Sequence, residues 1–235
     1  MSAGGRHRTA LVTGSARGIG GAIVTRLRAD GHRVIGVDVL DHEIEVDAAM
    51  QADLARPEEC ARVVAEAGPV DILVNSAAIF VHKPIEDFTV AEFDATIAVN
   101  LRAMFLLSRD LVGGMAEKGW GRILNISSVG ARTGGVSQSA VYNATKAAIV
   151  SLTKNFARNY GPAGVTVNAV LPGFTDSFMT SHVTAEERSL WMSQIPIGRA
   201  AQPHEIGDVV AFLASDAAGY MTGASVDVNG GWVMT

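Results

Sequence analysis

Short, nearly continuous apolar runs recur along the chain, each stopped by small or polar residues and followed by a stretch with helical spacing. Thr9–Val12, Arg33–Asp38, Val70–Asn75, Gly121–Ser128 and Val165–Leu171 are the clearest runs. A run apolar at every position, rather than at alternate ones, marks a parallel strand buried on both faces. Ala48–Ala52 predicts a brief further strand and Ala224–Val228 a last one. Between them, Ala22, Ile23 and Leu27 carry helical spacing toward Asp30-Gly31. Pro57–Ala67 opens on a proline suited to a first helical turn. Thr89–Met115 predicts a long helix interrupted near Asn100, a polar residue between Val99 and Leu101, and residues 139–160 and 203–215 predict two more.

Strand and helix alternate throughout, with no linker-like stretch and no internal repeat. That order predicts an α/β fold, a single-domain doubly wound Rossmann-type parallel sheet of about seven strands with helices on both faces. One domain is expected to take in the whole of residues 1–235. The alternation lapses only over about 174–199, where Phe174, Phe178, Met179, Trp191 and Met192 stand among polar residues, and this segment predicts a lid over a substrate. The span from Asp38 to Val70 is short, which is expected to remove surface helix rather than chemistry.

The residues that stop the runs carry the candidate chemistry, because ligands of such sheets lie at the carboxyl ends of strands. The first run ends in Gly14-x-x-x-Gly18-x-Gly20 and leads into a helix. Glycines there allow a tight turn and close approach of a ligand, and the helix start offers free N–H groups to an anion. The spacing is neither Gly-x-Gly-x-x-Gly nor a nucleoside-triphosphate loop, since no Lys-Ser/Thr follows. A dinucleotide pyrophosphate is the expected occupant. The second run ends in Asp38, about 18 residues beyond Gly20. A carboxylate there accepts the hydroxyls of an adenosine ribose and repels a 2′-phosphate, so NAD is expected rather than NADP. Arg17 is the one residue pulling the other way.

Tyr142 and Lys146 stand four apart at the start of a helix, on one face of it. With the strand-exit residues, they make the chain resemble the short-chain dehydrogenase/reductase family from Thr13 to Gly231. Thr13-Gly14-x-x-x-Gly18-x-Gly20 resembles the family's cofactor loop, Asp53-Leu54 its adenine-contacting pair, and Asn75-Ser76-Ala77-Ala78 its Asn-Asn-Ala-Gly segment. Asn100, Ser128, Tyr142 and Lys146 sit where its catalytic tetrad stands, with Ser127 the other candidate serine. The resemblance implies a cofactor held by Gly14, Ala16, Arg17, Gly18, Ile19, Gly20, Asp38, Asp53, Leu54, Asn75, Ala77, Tyr142, Lys146, Pro172, Gly173 and either Thr175 or Ser177. A substrate would meet Ser128, Tyr142, Arg132, Phe174 and Phe178.

A phenol near its ordinary value of about 10 is too weak a base at neutral pH. Lys146, together with the positive charge of an oxidised nicotinamide, is therefore expected to lower the pKa of Tyr142, the general acid/base. Ser128 would polarise the substrate oxygen, and the resemblance gives Asn100 a water that relays protons from Lys146. The expected activity is hydride transfer between NAD and a secondary alcohol or ketone. The alternative is NADPH-dependent reduction of 3-oxoacyl thioesters on a carrier protein, for which only Lys83, Arg102, Arg132 and Arg199 offer basic contacts. The non-enzymatic alternative is a dinucleotide sensor or scaffold.

Composition narrows the partners. The 235 residues are 48% hydrophobic with 25 glycines and carry a net charge of −5 without a basic block. That argues against nucleic acid and anionic membranes as partners. No apolar stretch approaches the roughly 20 residues of a membrane span, the polar start carries no leader-like run, and the single Cys60 suits a reducing compartment, so a cytoplasmic protein is expected. No metal site is expected. Apolar residues on several faces of the helices at 91–115 and 142–160, together with the resemblance, imply a homotetramer, with Trp232-Val233-Met234 a second candidate contact.

Overall fold

The structure is a computed structural model that describes residues 7–135, 139–181 and 183–234. The segment between Gly130 and Ser139 therefore lies partly outside the described residues, as do the first six residues and Thr235. Seven strands form one wholly parallel sheet: β1 (Thr9–Thr13), β2 (Arg33–Asp38), β3 (Ala48–Gln51), β4 (Ile72–Asn75), β5 (Gly121–Ile126), β6 (Val165–Pro172) and β7 (Ser225–Val228). Their spatial order is β3-β2-β1-β4-β5-β6-β7. The order reverses between β1 and β4, so their connections leave toward opposite faces and open a crevice at the strands' carboxyl ends.

Side chains alternate across the sheet and divide the core in two. Leu11, Ile35, Leu73, Ile123 and Val167 face α2 (Pro57–Ala67), α4 (Met104–Glu117) and α6 (Ala140–Tyr160) through Val63, Leu107, Met115 and Phe156. Ala10, Val12, Val34, Ile72, Leu124 and Val170 face α1 (Gly18–Ala29) and α8 (Pro203–Ala214) through Ile23, Leu27, Ile206 and Val210. Two covered faces explain why the strands read as unbroken apolar runs.

The interruption expected near Asn100 is a π-helical turn, Ala98–Ala103, between α3 (Val90–Ile97) and α4. It leaves Asn100 buried, with its amide closed on the backbone of Ile79: Oδ1 accepts from the Ile79 N–H at 2.8 Å and Nδ2 donates to its carbonyl at 3.0 Å. The β2–β3 crossover contains no helix; residues 39–47 form a strap instead. Ile44 and Val46 pack against the α1 core, and Arg28 pairs with Glu45 and Asp47. His42 Nε2 stands 2.7 Å from Ser15 Oγ, inside the glycine-rich turn. The shortened span thus lacks a surface helix, and through His42 it touches the back of the glycine-rich turn.

Residues 174–200 build a small core of their own from Phe174, Ile195 and Ala200, with Val183, Trp191, Met192 and Trp232 packed on it. It carries α7 (Ala185–Gln194), started by a capping box between Thr184 and Glu187. Trp232 lies within this core, its Nε1 donating to Gln194 Oε1 at 3.2 Å. Its ring is an anchor for the lid inside the chain. No helix among the described residues is long and apolar enough to cross a membrane.

Candidate active site

One cleft of about 390 Å³ runs along the carboxyl ends of the strands and gathers most of the residues singled out above. Its first half is made of backbone. β1 ends at Gly14, whose φ of 65° is open to glycine, and a Cβ there would stand 2.7 Å from Ala77 Cα. A Cβ on Gly20 would overlap the Gly14 carbonyl. Glycine is required for the turn to close against both neighbours. Helices α3 and α7 start with side-chain caps, whereas α1, like α2 and α6, has none, and α1 also has no acid in its first turn. Its free N–H groups and positive dipole end open onto the cleft instead.

Asp38 lines the same half. Its Oδ2 accepts from the Ala16 N–H at 2.9 Å and its Oδ1 from the Leu40 N–H at 3.1 Å, which fixes the carboxylate at the end of β2. Gly14, Arg17, Gly18, Ile19, Gly20, Asp53, Leu54, Ala77, Pro172, Gly173, Thr175 and Ser177 also line the cleft. Ala16 and Asn75 do not line it; Ala16 serves from behind by holding Asp38, and Asn75 Nδ2 donates to Asn125 Oδ1 at 2.8 Å in the sheet beneath. Thr175 and Ser177 both remain in the wall, Thr175 buried and Ser177 opening a short helical turn. The Arg17 guanidinium lies 3.5 Å from the centre of the Phe178 ring, so it is turned toward the lid.

The second half holds the reactive side chains. Ser127 is withdrawn from the contest of the two serines, because its hydroxyl donates to the Lys146 carbonyl at 2.7 Å. Ser128 hydrogen-bonds Tyr142, and its Oγ accepts from the Gly130 N–H at 3.1 Å. Phe80 meets the Tyr142 ring edge-on, with centroids 4.9 Å apart. Lys146 Nζ donates to the Ile126 carbonyl at 2.8 Å and lies 5.3 Å from the centre of the Tyr142 ring.

In the protein alone, burial governs the proton affinity of both groups. Burial pushes the Tyr142 phenol up to about 12, opposed by its hydrogen bond with Ser128. Burial also brings Lys146 down to about 7. A lysine that sheds much of its charge near neutral pH has little left with which to lower the tyrosine; the desolvation of both groups outweighs their mutual effect in the protein alone. Asn100 does not line the main cleft. It shares with Lys146 and Asn75 a cavity of about 10 Å³ under the site, about the volume one water requires. Asn75 Oδ1 is buried there without a partner.

Around these groups stand Phe80, Thr133, Ser139, Asn143, Phe174, Phe178, Val183, Trp191 and Trp232, none of them charged. Phe174 and Phe178 are where the sequence places them. Arg132 is not: the short helix α5 (Gly130–Thr133) turns it to the sheet edge, where its Nη2 lies 3.3 Å from Asp227 Oδ2. A carboxylate within reach there outcompetes an apolar cleft. The other expected basic contacts are also engaged, Lys83 with Glu92, Arg102 with the Ala55 carbonyl and Arg199 with Glu205. Trp232 and Asn143 were not expected in the wall. A tryptophan after Gly230-Gly231 gives no sign of folding back, and Asn143 is hidden by its place beside Tyr142.

These residues fit a nicotinamide dinucleotide: uncapped helix donors for a pyrophosphate, a fixed carboxylate for a ribose, and a hydroxyl pair where a carbonyl would meet the nicotinamide. No group of three or more metal-ligating side chains occurs among the described residues. The family model described as enoyl-(acyl carrier protein) reductase matches residues 14–233. The acetoacetyl-CoA reductase of Allochromatium vinosum is 40% identical, with 97% of this chain and 99% of that protein covered. The 3-oxoacyl-[acyl-carrier-protein] reductase of Vibrio cholerae is 38% identical, with 97% and 98% covered. A Beutenbergia cavernae protein, described as a candidate NAD(P)-dependent gluconate 5-dehydrogenase and holding NADP at low occupancy, superposes with a TM-score of 0.91 at 36% identity, covering 97% of this chain and 98% of that one.

Proposed function

The chain belongs to the short-chain dehydrogenase/reductase family, and from that premise we propose that it reduces the keto group of a 3-oxoacyl thioester, with NADH as the preferred donor. The observation that carries the reaction type is the hydrogen-bonded Ser128–Tyr142 pair in the wall of a cleft whose far end is the uncapped start of α1. The bound dinucleotide supplies the hydride. Ser128 donates its hydrogen bond to the keto oxygen and polarises the carbonyl. Tyr142 gives up its proton as that oxygen gains charge, which is general acid catalysis at the atom that needs it. Lys146 stands behind the phenol with a value near neutrality, suited to carrying a proton between the buried site and the small cavity it shares with Asn100.

The thioester substrate rests on the relatives named for that chemistry, and the preference for NADH rests on Asp38. Its carboxylate faces the ribose position, while Arg17 is turned onto Phe178. A second reading has a specific observation in its favour. The basic residues on offer for a phosphorylated carrier, Lys83, Arg102, Arg132 and Arg199, all have partners already, and the substrate half of the cleft is uncharged. A free ketone or secondary alcohol fits that wall as well. Initial rates with acetoacetyl-CoA, with the free ketone ethyl acetoacetate and with a panel of secondary alcohols, each with both cofactors, separate the readings. The proposal expects acetoacetyl-CoA with NADH to be turned over best. A clear preference for the free ketone or an alcohol selects the second reading, and cofactor binding without turnover on any substrate selects a dinucleotide sensor.

A further inference from the structure

Asn143 follows Tyr142 on α6, yet its side chain is buried and lies in the cleft wall. Polar groups are buried at a cost that only hydrogen bonds offset. The amide meets that requirement locally: Nδ2 donates at 2.9 Å both to the Ser139 carbonyl and to the Ser139 hydroxyl. Its other contacts are more unusual. A Cβ on Gly130 would overlap Asn143 Oδ1, and a Cβ on Gly135 would overlap Asn143 Nδ2. The amide is therefore pressed between two glycine backbones, each bare where it touches.

Gly130 is also the residue whose N–H donates to Ser128 Oγ. A serine hydroxyl has one proton and two lone pairs. With one lone pair held by Gly130 and its remaining contact made to Tyr142, the hydroxyl is restricted in rotation on the cleft side. The position of that N–H depends on where Gly130 rests, and Gly130 rests against Asn143. From this we infer that Asn143 is a positioning residue: its amide sets Gly130, and through it the direction of the Ser128 hydroxyl toward the carbonyl oxygen. The inference rests on the hydride-transfer reading above, in which Ser128 polarises that oxygen. Asn143 touches neither reacting atom in this arrangement. It connects the segment that begins at Ser128 with the helix that carries Tyr142, so the two hydroxyls keep a fixed relation.

The spatial relation gives a sharp test, because Gly130 has an ordinary helical backbone and refuses a side chain only for lack of room. Shortening Asn143 creates that room. Wild type, Asn143→Ala, Gly130→Ala and the double variant are compared by thermal midpoint, by kcat, and by KM for the keto substrate and for the cofactor. Asn143→Ala is expected to lower kcat about ten-fold, a fraction of what loss of an oxyanion donor costs, with the cofactor KM unchanged within two-fold. Gly130→Ala is expected to lower the midpoint by several degrees. The double variant is expected to regain most of that midpoint while its kcat stays at the level of Asn143→Ala, since the methyl is accommodated but the amide is still missing.

A kcat for Asn143→Ala within two-fold of wild type overturns the inference. So do midpoint losses that simply add in the double variant, which would mean that the two positions are independent. If wild type itself turns over no substrate, the proposed function falls, and the midpoint cycle still decides whether Asn143 and Gly130 are coupled.

Discussion

The two halves of the cleft are made from different materials. The dinucleotide half is backbone: a glycine turn, the open start of α1, and Asp38 held by two N–H groups. Each part comes from one short stretch of chain at a strand end. The substrate half is side chain: Tyr142 and Asn143 from α6, Phe80 after β4, Phe174, Val183 and Trp191 from the lid, and Trp232 from near the chain's end. A backbone-built site tolerates little change, whereas a wall assembled from four segments can be altered one residue at a time. Under the proposed function, the first half would hold the cofactor's phosphates and the second would set which substrate is reduced.

The largest change should come from the point where the halves meet. Tyr142→Phe keeps the ring that packs edge-on against Phe80 and removes the proton donor. Steady-state kcat is expected to fall about 10³-fold, within the range general acid/base catalysis contributes, while the cofactor's dissociation constant, read by fluorescence titration, stays put. An equal loss in both would mean that the halves are one unit.

Next in size is Asp38→Asn, which keeps acceptor capacity at the end of β2 and removes the negative charge. Like charges brought face to face cost several kcal/mol. The ratio of kcat/KM with NADP to that with NAD is expected to rise at least ten-fold or so. A ratio that does not move would place cofactor choice with other groups, Arg17 and the His42 strap foremost.

Legibility followed the same division. Gly14, Gly18, Gly20, Asp38 and the Tyr142–Lys146 interval could be placed from spacing, because strand ends and helix turns dictate where such residues point. The five inner strands were legible for a related reason, since burial on both faces leaves few polar positions, whereas β3 and β7 lie at the half-exposed sheet edges. What failed depended on side-chain direction or on remote packing. Arg132 sat in the right segment and turned to Asp227. Nothing in the sequence marked Trp232 as packing on the lid's core. Ser127 and Ser128 were separable only once the hydroxyl of one was seen on the Lys146 carbonyl. What i, i+4 spacing could not report is desolvation, which in the protein alone pushes the Tyr142 phenol up and the Lys146 ammonium down.

That desolvation is measurable. With Lys146 brought down to about 7 from an ordinary 10.5, the unfolded chain binds more protons than the folded one between those values. Stability from this group therefore rises with pH from about 7 upward, and the full penalty of burying the charge applies below it. The slope can reach about 1.4 kcal/mol per pH unit, or ten-fold in the folding constant. Urea unfolding between pH 7 and 9, below the range in which Tyr142 titrates, should show the slope, and Lys146→Met should flatten it. A wild-type curve as flat as the variant's would mean that water reaches the ammonium and that the site is wetter than its packing suggests.

The smallest effect tests whether the two halves communicate at all. Arg17 belongs to the glycine turn and Phe178 to the lid, and the guanidinium lies 3.5 Å from the ring's centre. The ring is 62% exposed, so the contact sits at the weak end of cation–π interactions, about 0.5–1 kcal/mol. Phe178→Ala should therefore raise the cofactor KM about two- to five-fold, although Phe178 is far along the chain from the turn. Arg17→Lys retains a charge but loses the flat face that lies on the ring, so it should reproduce most of that rise. In the double variant the two losses should not add, because each removes the same contact. If Phe178→Ala shifts only the KM of the keto substrate, the ring serves the substrate half alone and the division between the halves is complete.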